Sequence, residues 1–413
     1  MAAALLCGSL RDRASALYSK HFIIAHNISS EQDACHAARP HGHEMSRTWY
    51  HTANEEEIPS PALLLFQERI ERNLDRMVSI AGNAARLRPH VKTHKLGPII
   101  RAQVRRGITK FKCATIAEAE MSAEAGAADV LLAVQPVGPA ITRFIQLQKH
   151  FPATNFSTIV DAEESISALG AAAASAGSQA SVLLDLDCGM GRTGVPPGPP
   201  AEGLYQLIAR TKGLRPAGLH AYDGHIHESD LAERETLCDR AFEAVEKLRA
   251  RLVELGLPVP SLVAGGTPTF PIHARHADRE LSPGTCVLWD FGYGDSFADL
   301  DFETAAVLLT RVVSKPAENR LCLDLGHKAV AAEKTPPRAR LLEAPDAVPL
   351  THSEEHLVIE TPLAGQFRLG QCLHGIPKHV CPTVALHSEA WAVQGGVALE
   401  RWPIPARARR LTI

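Results

Sequence analysis

Between residues 67 and 295, apolar segments of strand length alternate with amphipathic segments of helix length, and no other property of the chain narrows its possible folds as much. Parallel strands cannot be joined by tight turns; each needs a crossover of a dozen or more residues, usually a helix. The strand patterns, in order, are LRPHVKTH, FKCATI, DVLLAVQ, NFSTIVD, SVLLDLD, AGLHAYD, SLVAGGTP and CVLWDFGY. Helical patterns such as AEAEMSAEAGA, GPAITRFIQLQ and ERETLCDRAFEAVEKLRARLVEL separate them. Eight such units over roughly 230 residues predict an α/β chain folded as a TIM (β/α)8 barrel. An open doubly wound sheet would use the same alternation, but no GxGxxG follows an early strand.

After about residue 300 the alternation stops. AAVLLTRVVS, NRLCLDLGHKAV, HLVIET, FRLGQCL and ALERWPI are short strand patterns with turn residues between them, which predicts a C-terminal all-β domain. The chain thus divides into an atypical extension at 1–44, a barrel at 58–295 and a β domain at 296–413. With 413 residues, 45% hydrophobic and 22% charged, it has enough apolar side chains for two cores. A net charge of -3 offers no general attraction to nucleic acid or an anionic membrane, so the expected partner is a small molecule. The longest apolar runs, ALLLF, VLLAV and SVLLDL, are strand-sized and far short of the roughly 20 residues that span a bilayer. Nine cysteines scattered from Cys7 to Cys381 outline no disulfide framework, and a reducing cytoplasm is expected. The extension lacks the apolar core of a signal peptide, and Glu31 and Asp33 argue against an organelle address. Its His36, His41 and His43 read as a histidine-rich tail before they read as a metal site.

Chemistry concentrates at RPHVKTHK (88–95), where the first strand pattern delivers Lys92, Lys95, His90 and His94 together. A lysine beside arginine and histidine has its ammonium form disfavoured by like charge, and a neutral amine forms a Schiff base with an aldehyde. That points to pyridoxal phosphate; a solvated basic loop is the plainer alternative. Barrel enzymes carry their catalytic groups at the carboxyl ends of strands, and polar residues fall there. Lys92 and His94 end the first strand pattern and Thr115 the second; Asp187 and Arg192 follow the fifth, Tyr222 and His225 the sixth, Gly265 to Thr269 the seventh, and Asp290 the eighth. AGGTPT (264–269) has the composition of a phosphate cradle, since glycines admit backbone N–H groups to an anion. Arg192 stands on the glycine-rich DLDCGMGRTGV, where a guanidinium pairs with a phenolate or carboxylate in fixed geometry. His379 and Cys381, at H-x-C spacing, would share one face of an extended strand and reach a single cation, with zinc or a similar borderline metal favoured.

Taken together, RPHVKTHK, ATIAEAE, DLDCGMGRTGV, GGTPT, PGTCVLWDFGY, SEEH and PKHVCPTVALH resemble the D-threonine aldolase and D-serine dehydratase family, over residues 58–413. The resemblance implies pyridoxal 5'-phosphate on an alanine-racemase-like barrel followed by a β domain. It implies that Lys92 bonds the cofactor, Arg192 faces its phenolic oxygen, and Gly265, Gly266 and Thr267 hold its phosphate. Thr115, Tyr222 and Asp290 are further expected cofactor contacts, and His379 and Cys381 the ligands of Zn2+ or Mn2+. The implied substrate is a D-3-hydroxy amino acid, met by one of two reactions. Taking the β-hydroxyl proton cleaves Cα–Cβ to glycine and an aldehyde; taking the α proton expels hydroxide and leads to a keto acid and ammonia. His94, Tyr222, His225 and His227 are the candidate proton carriers. H-x-C resembles the dehydratase metal site, whereas GGTPTFPIHA, DLGHKAV and HVCPTVALH look like the aldolase branch, which is the expected one. A homodimer, with the β domain of one chain near the barrel mouth of the other, is also implied. A noncatalytic cofactor carrier would be a bare barrel, and an alanine-racemase mechanism needs a tyrosine from the β domain, where none stands after residue 300.

Overall fold

The computed structural model describes residues 48–409 and 412–413; the extension read at 1–44 lies outside the described residues. Strand β1 (Ala62–Phe66) is the apolar run ALLLF, buried along its whole length. A strand buried on both faces needs such a run. It belongs to the C-terminal sheet and not to the barrel that comes after it in sequence.

Seven strands form one parallel sheet in chain order: β2 (Lys110–Cys113), β3 (Asp129–Leu132), β4 (Asn155–Val160), β5 (Ala180–Leu186), β6 (Leu214–Ala221), β7 (Leu262–Ala264) and β8 (Glu280–Leu281). Residues 87–90 close the ring. Leu87 bridges Leu281 and His90 bridges Lys112, both in parallel sense. Arg88 N–H donates to Leu281 and Lys112 N–H to Pro89. The barrel stands, but two strands differ from those the sequence predicts. LRPHVKTH makes only bridges, because Pro89 has no N–H for a ladder and the chain tightens after His90 into the 3₁₀ turn Val91–Thr93, which carries Lys92. CVLWDFGY is not the eighth strand. The short Glu280–Leu281 takes that place, while Cys286, Val287, Leu288 and Trp289 are buried in a turn and the core around it. A short apolar run has no period that separates these outcomes.

Side chains of one parity face the barrel interior. Leu131, Ile159, Leu183 and Val263 pack there as a separate apolar cluster. The same parity, traced through the registers Lys112↔Leu131, Asp185↔His220 and His220↔Val263, brings Lys112, Asp185 and His220 to the carboxyl end of the interior.

The second sheet comprises β1 with β9 (Ala306–Ala317), β10 (Arg320–Leu323), β11 (Ala339–Leu341), β12 (Val348–His352), β13 (Leu357–Glu360), β14 (Cys372–Pro377), β15 (Glu389–Gln394) and β16 (Val397–Pro403). Its order is β12-β13-β10-β9-β1-β15-β16, with β14 pairing β9 and β11. All pairings are antiparallel except β1 with β15, so the earliest strand lies in the middle of the sheet. The region is not purely β. Val380–Leu386 is a helix with Pro382 in its first turn, where a missing N–H costs nothing. Residues 48–413 make one compact unit, and none of the described helices is long and apolar enough to cross a membrane.

Candidate active site

Tyr222, directly after β6, stands at the centre of the barrel mouth. Lys92 Nζ lies 5.8 Å, Lys112 Nζ 5.6 Å and the Arg192 guanidinium 5.0 Å from its ring centroid. The buried carboxylates at this end are committed elsewhere. Asp185 pairs with His220 Nδ1 at 2.7 Å, and Asp223 with His273 Nε2 at 2.8 Å and the Thr269 hydroxyl at 2.9 Å. Among the described residues, the three cations therefore have no carboxylate of their own. Burial, reinforced by the charge of Lys92, pulls the Lys112 ammonium down to about 7. A pocket with surplus positive charge, and with the buried His220 Nε2 and His225 Nδ1 lacking partners, fits a doubly anionic cofactor such as pyridoxal phosphate.

The glycine loop fits the same group. Gly265 has φ of +70°, a left-handed conformation, and a Cβ there would lie 2.4 Å from the His273 ring. At Gly266 and Gly224 a Cβ would come within 3.0 and 2.3 Å of the Tyr222 ring. The backbone thus passes where a side chain would close the pocket. The Thr267 hydroxyl accepts N–H bonds from Gly284 and Thr285 (3.0 and 3.1 Å), which fastens the loop to the turn after β8. Asp223 fastens it to β6: Thr269 and His273 bind its two oxygens, and Arg279 donates to His273 Nδ1 at 2.9 Å. Burial alone raises the Asp223 carboxyl, but His273 and Thr269 outweigh it and hold it below the usual range.

The cluster read from RPHVKTHK separates in three dimensions. Lys92 faces the pocket, whereas Lys95 turns to an ion pair with the buried Glu118. His94 is buried; its Nδ1 accepts from Leu96 N–H at 3.1 Å, and burial pushes its pKa down to about 3. Its remaining N–H has no partner, so the ring is a neutral donor and is poorly suited to taking a proton. Thr115 caps the helix Ile116–Glu124, accepting from Glu118 N–H at 3.1 Å. Asp290 caps Phe291–Ser296 through Tyr293 N–H, and its other oxygen accepts from Val380 N–H, both at 2.9 Å.

That last bond brings the H-x-C pair to the barrel. His379 is the N-cap of Val380–Leu386, so the pair sits at a helix start and not on an extended strand. Cys381 Sγ lies 3.2 Å from the hydroxyl of Thr93, next to Lys92, and 3.6 Å from that of Thr285. His379 Nδ1 lies 2.5 Å from Glu333, a carboxylate in the position that orients ligating imidazoles. Burial works against both charges, yet each group stabilises the other: the Cys381 thiol is lowered and His379 is raised to about 9. A thiolate and an imidazole so placed suit a borderline divalent metal. A cavity of about 280 Å³ opens beside them, with His227, Asp290, Tyr293, Lys334, Lys378 and His379 in its wall. His227 Nδ1 lies 2.6 Å from the His225 carbonyl, which fixes the proton on Nδ1 and leaves the Nε2 lone pair free. DLGHKAV and SEEH bind each other, His327 and Lys328 N–H donating to Ser353 and Glu354. Sequence reasoning missed Lys112, Asp223, His273 and Glu333; only the charged Lys112 inside a strand pattern signalled itself.

Residues 67–290 match the family described as alanine racemase, N-terminal domain, and 305–393 the putative serine dehydratase domain. A D-threonine aldolase of Arthrobacter sp is 32% identical over 356 residues, which cover 85% of this chain and 93% of that protein. The chain belongs to the D-threonine aldolase family. A 3-hydroxy-D-aspartate aldolase of Paracoccus denitrificans is 28% identical, covering 86% of this chain and 94% of the relative. Among solved structures, the D-threonine aldolase from Filomicrobium marinum superposes with a TM-score of 0.79 at 30% identity, covering 86% of this chain and 97% of that one. D-threo-3-hydroxyaspartate dehydratase from Delftia sp. HT23 gives 0.71 at 26%, with 86% and 98% covered. This member is accordingly a pyridoxal-phosphate-dependent lyase.

Proposed function

We propose that the protein cleaves D-3-hydroxy amino acids by the D-threonine aldolase reaction, giving glycine and an aldehyde. The observation that carries this is the cavity shared by His379 and His227, a metal ligand and a free imidazole lone pair at one wall. In this reading Lys92 would hold the cofactor covalently, Arg192 would pair with its phenolic oxygen, Tyr222 would pack against it, and the 265–267 backbone would bind its phosphate. Bound pyridoxal phosphate makes the bonds at the substrate α carbon labile. His379 and Cys381 would hold Zn2+ or Mn2+, which would supply a Lewis acid for the substrate β-hydroxyl. His227 Nε2 takes the hydroxyl proton, the Cα–Cβ bond breaks, the aldehyde leaves, and the α carbon regains a proton to give glycine. Lys334 and Lys378 on the cavity wall favour an acidic substrate side chain.

The second reading, dehydration to a keto acid and ammonia, is favoured by the H-x-C ligand pair. Product analysis by mass after incubation with pyridoxal phosphate, metal and D-threonine, D-serine or 3-hydroxy-D-aspartate separates the two. Glycine with an aldehyde supports the aldolase, and keto acid with ammonia overturns it. Seven unpaired cysteines among the described residues suit a reducing cytoplasm. A homodimer completes the proposal and is checked by light scattering.

A further inference from the structure

Away from the barrel mouth, four side chains meet where the segment before β1 crosses the C-terminal sheet: His51, Glu55, Glu343 and His374. His374 lies on β14 with its side chain fully buried (0% exposed). Glu343 Oε1 stands 2.7 Å from His374 Nδ1 and 3.9 Å from His51 Nε2. Glu55 Oε2 stands 3.4 Å from His374 Nε2 and 3.2 Å from His51 Nδ1. Each carboxylate therefore faces both imidazoles. His374 Nε2, a buried ring nitrogen, makes no hydrogen bond and has only the 3.4 Å approach of Glu55 Oε2. His51, Glu343 and His374 bring donor atoms within 4.8 Å of one another. Two donors bound at about 2.0–2.1 Å to a tetrahedral ion stand roughly 3.3 Å apart. Each imidazole offers an ion one nitrogen, so the separation to compare on the Glu343 side is the 3.9 Å to His51 Nε2, which an ion would shorten slightly, while the 2.7 Å contact to His374 Nδ1 is a direct hydrogen bond.

We propose that His51, Glu343 and His374, each giving one donor atom, form a second divalent-cation site, separate from His379 and Cys381, with Glu55 balancing the charge beside it. Two imidazoles with carboxylates select a borderline ion such as Zn2+ over Ca2+ or Mg2+. Glu343 and Glu55 face His374 at its two ring nitrogens, 2.7 and 3.4 Å away, so negative charge is already gathered where a cation would bind. The site fastens the segment ahead of β1 to β14 and to the turn after β11, and its role is structural.

The test uses the full-length, cofactor-loaded protein, stripped with chelator and dialysed against Zn2+, with bound metal counted. His51 is the residue to replace, because its side chain is 32% exposed and its loss leaves the core filled. His51→Ala is expected to bind one equivalent less than wild type with unchanged lyase turnover. The His379→Ala/Cys381→Ala double variant keeps the equivalent that His51→Ala loses, and Zn2+ raises its melting temperature until His51→Ala is added. Ions held by other histidines cancel in this comparison. Equal zinc content with and without His51→Ala, or no zinc-dependent rise in the double variant, overturns the proposal and leaves an imidazolium held between two carboxylates.

Discussion

His227 and His94 show how position decides what an imidazole does. His227 has one nitrogen pinned by the His225 carbonyl and stands in the wall of the cavity. His227→Asn is expected to cut kcat by on the order of 10²–10⁴-fold with cofactor absorbance retained; full activity would remove His227 from the mechanism. Lys92→Ala should lose the visible band of the lysine-bound cofactor, and spectra after pyridoxal phosphate addition check this. His94, by contrast, is buried neutral with its pKa down to about 3. The unfolded chain takes up the proton below 6.5 and the folded one does not, so stability is complete above that pH and falls as pH drops toward 3. Between pH 7 and 5 this costs about 2 kcal/mol. His94→Asn should flatten that much of the loss in urea titrations at the two values, because the amide oxygen still accepts from Leu96 N–H. Lys92 was legible in the sequence because a lysine among basic neighbours after an apolar run is unusual. The roles of His94 and Lys95 were not, because a 3₁₀ turn sends successive side chains in different directions.

At the scale of elements, the helix Val380–Leu386 is the joint between sheet and barrel. Asp290 holds Val380 N–H and Tyr293 N–H with its two oxygens. Asp290→Ala leaves both donors unsatisfied, a loss of about 1–3 kcal/mol for each buried group. It also frees the turn between His379 and Cys381, the proposed metal ligands, which should weaken metal affinity about 10–100-fold while cofactor binding persists. Metal titration monitored by calorimetry checks the pair of outcomes. The proximity of His379 and Cys381 was legible in the H-x-C spacing, but the geometry of the pair was not. An extended strand and a helix can open on the same few residues, and Pro382 in VCPTVAL is compatible with both. The βα alternation was legible throughout the middle of the barrel, where strands are long and apolar. It misled at the ring's closure, where two short segments, 87–90 and Glu280–Leu281, complete the circle with few ladder bonds.

At the scale of the molecule, barrel and sheet are tied by a strand that the sequence division places in the barrel (58–295) and the structure places in the C-terminal sheet. Leu64 on β1 is fully buried and pairs with Trp391 on β15 and Val307 on β9. Leu64→Ala should cost about 2–5 kcal/mol. Tryptophan fluorescence and far-ultraviolet circular dichroism should still report one shared transition, whereas two separate transitions would show that barrel and sheet unfold independently. The ALLLF pattern announced a strand but carried no trace of its partners, because pairing across several hundred residues leaves no local period.

The same central strand sets a timetable for birth on the ribosome. ALLLF emerges early, but its parallel neighbour β15 is made roughly 330 residues later, which at ordinary elongation rates means a wait of about 15–65 s. For the first roughly 245 residues of that interval, until β9 is made, a wholly apolar segment has no edge to join. The nascent chain therefore depends on something to shield those five residues, the growing barrel or a chaperone, and a pause late in translation prolongs its exposure.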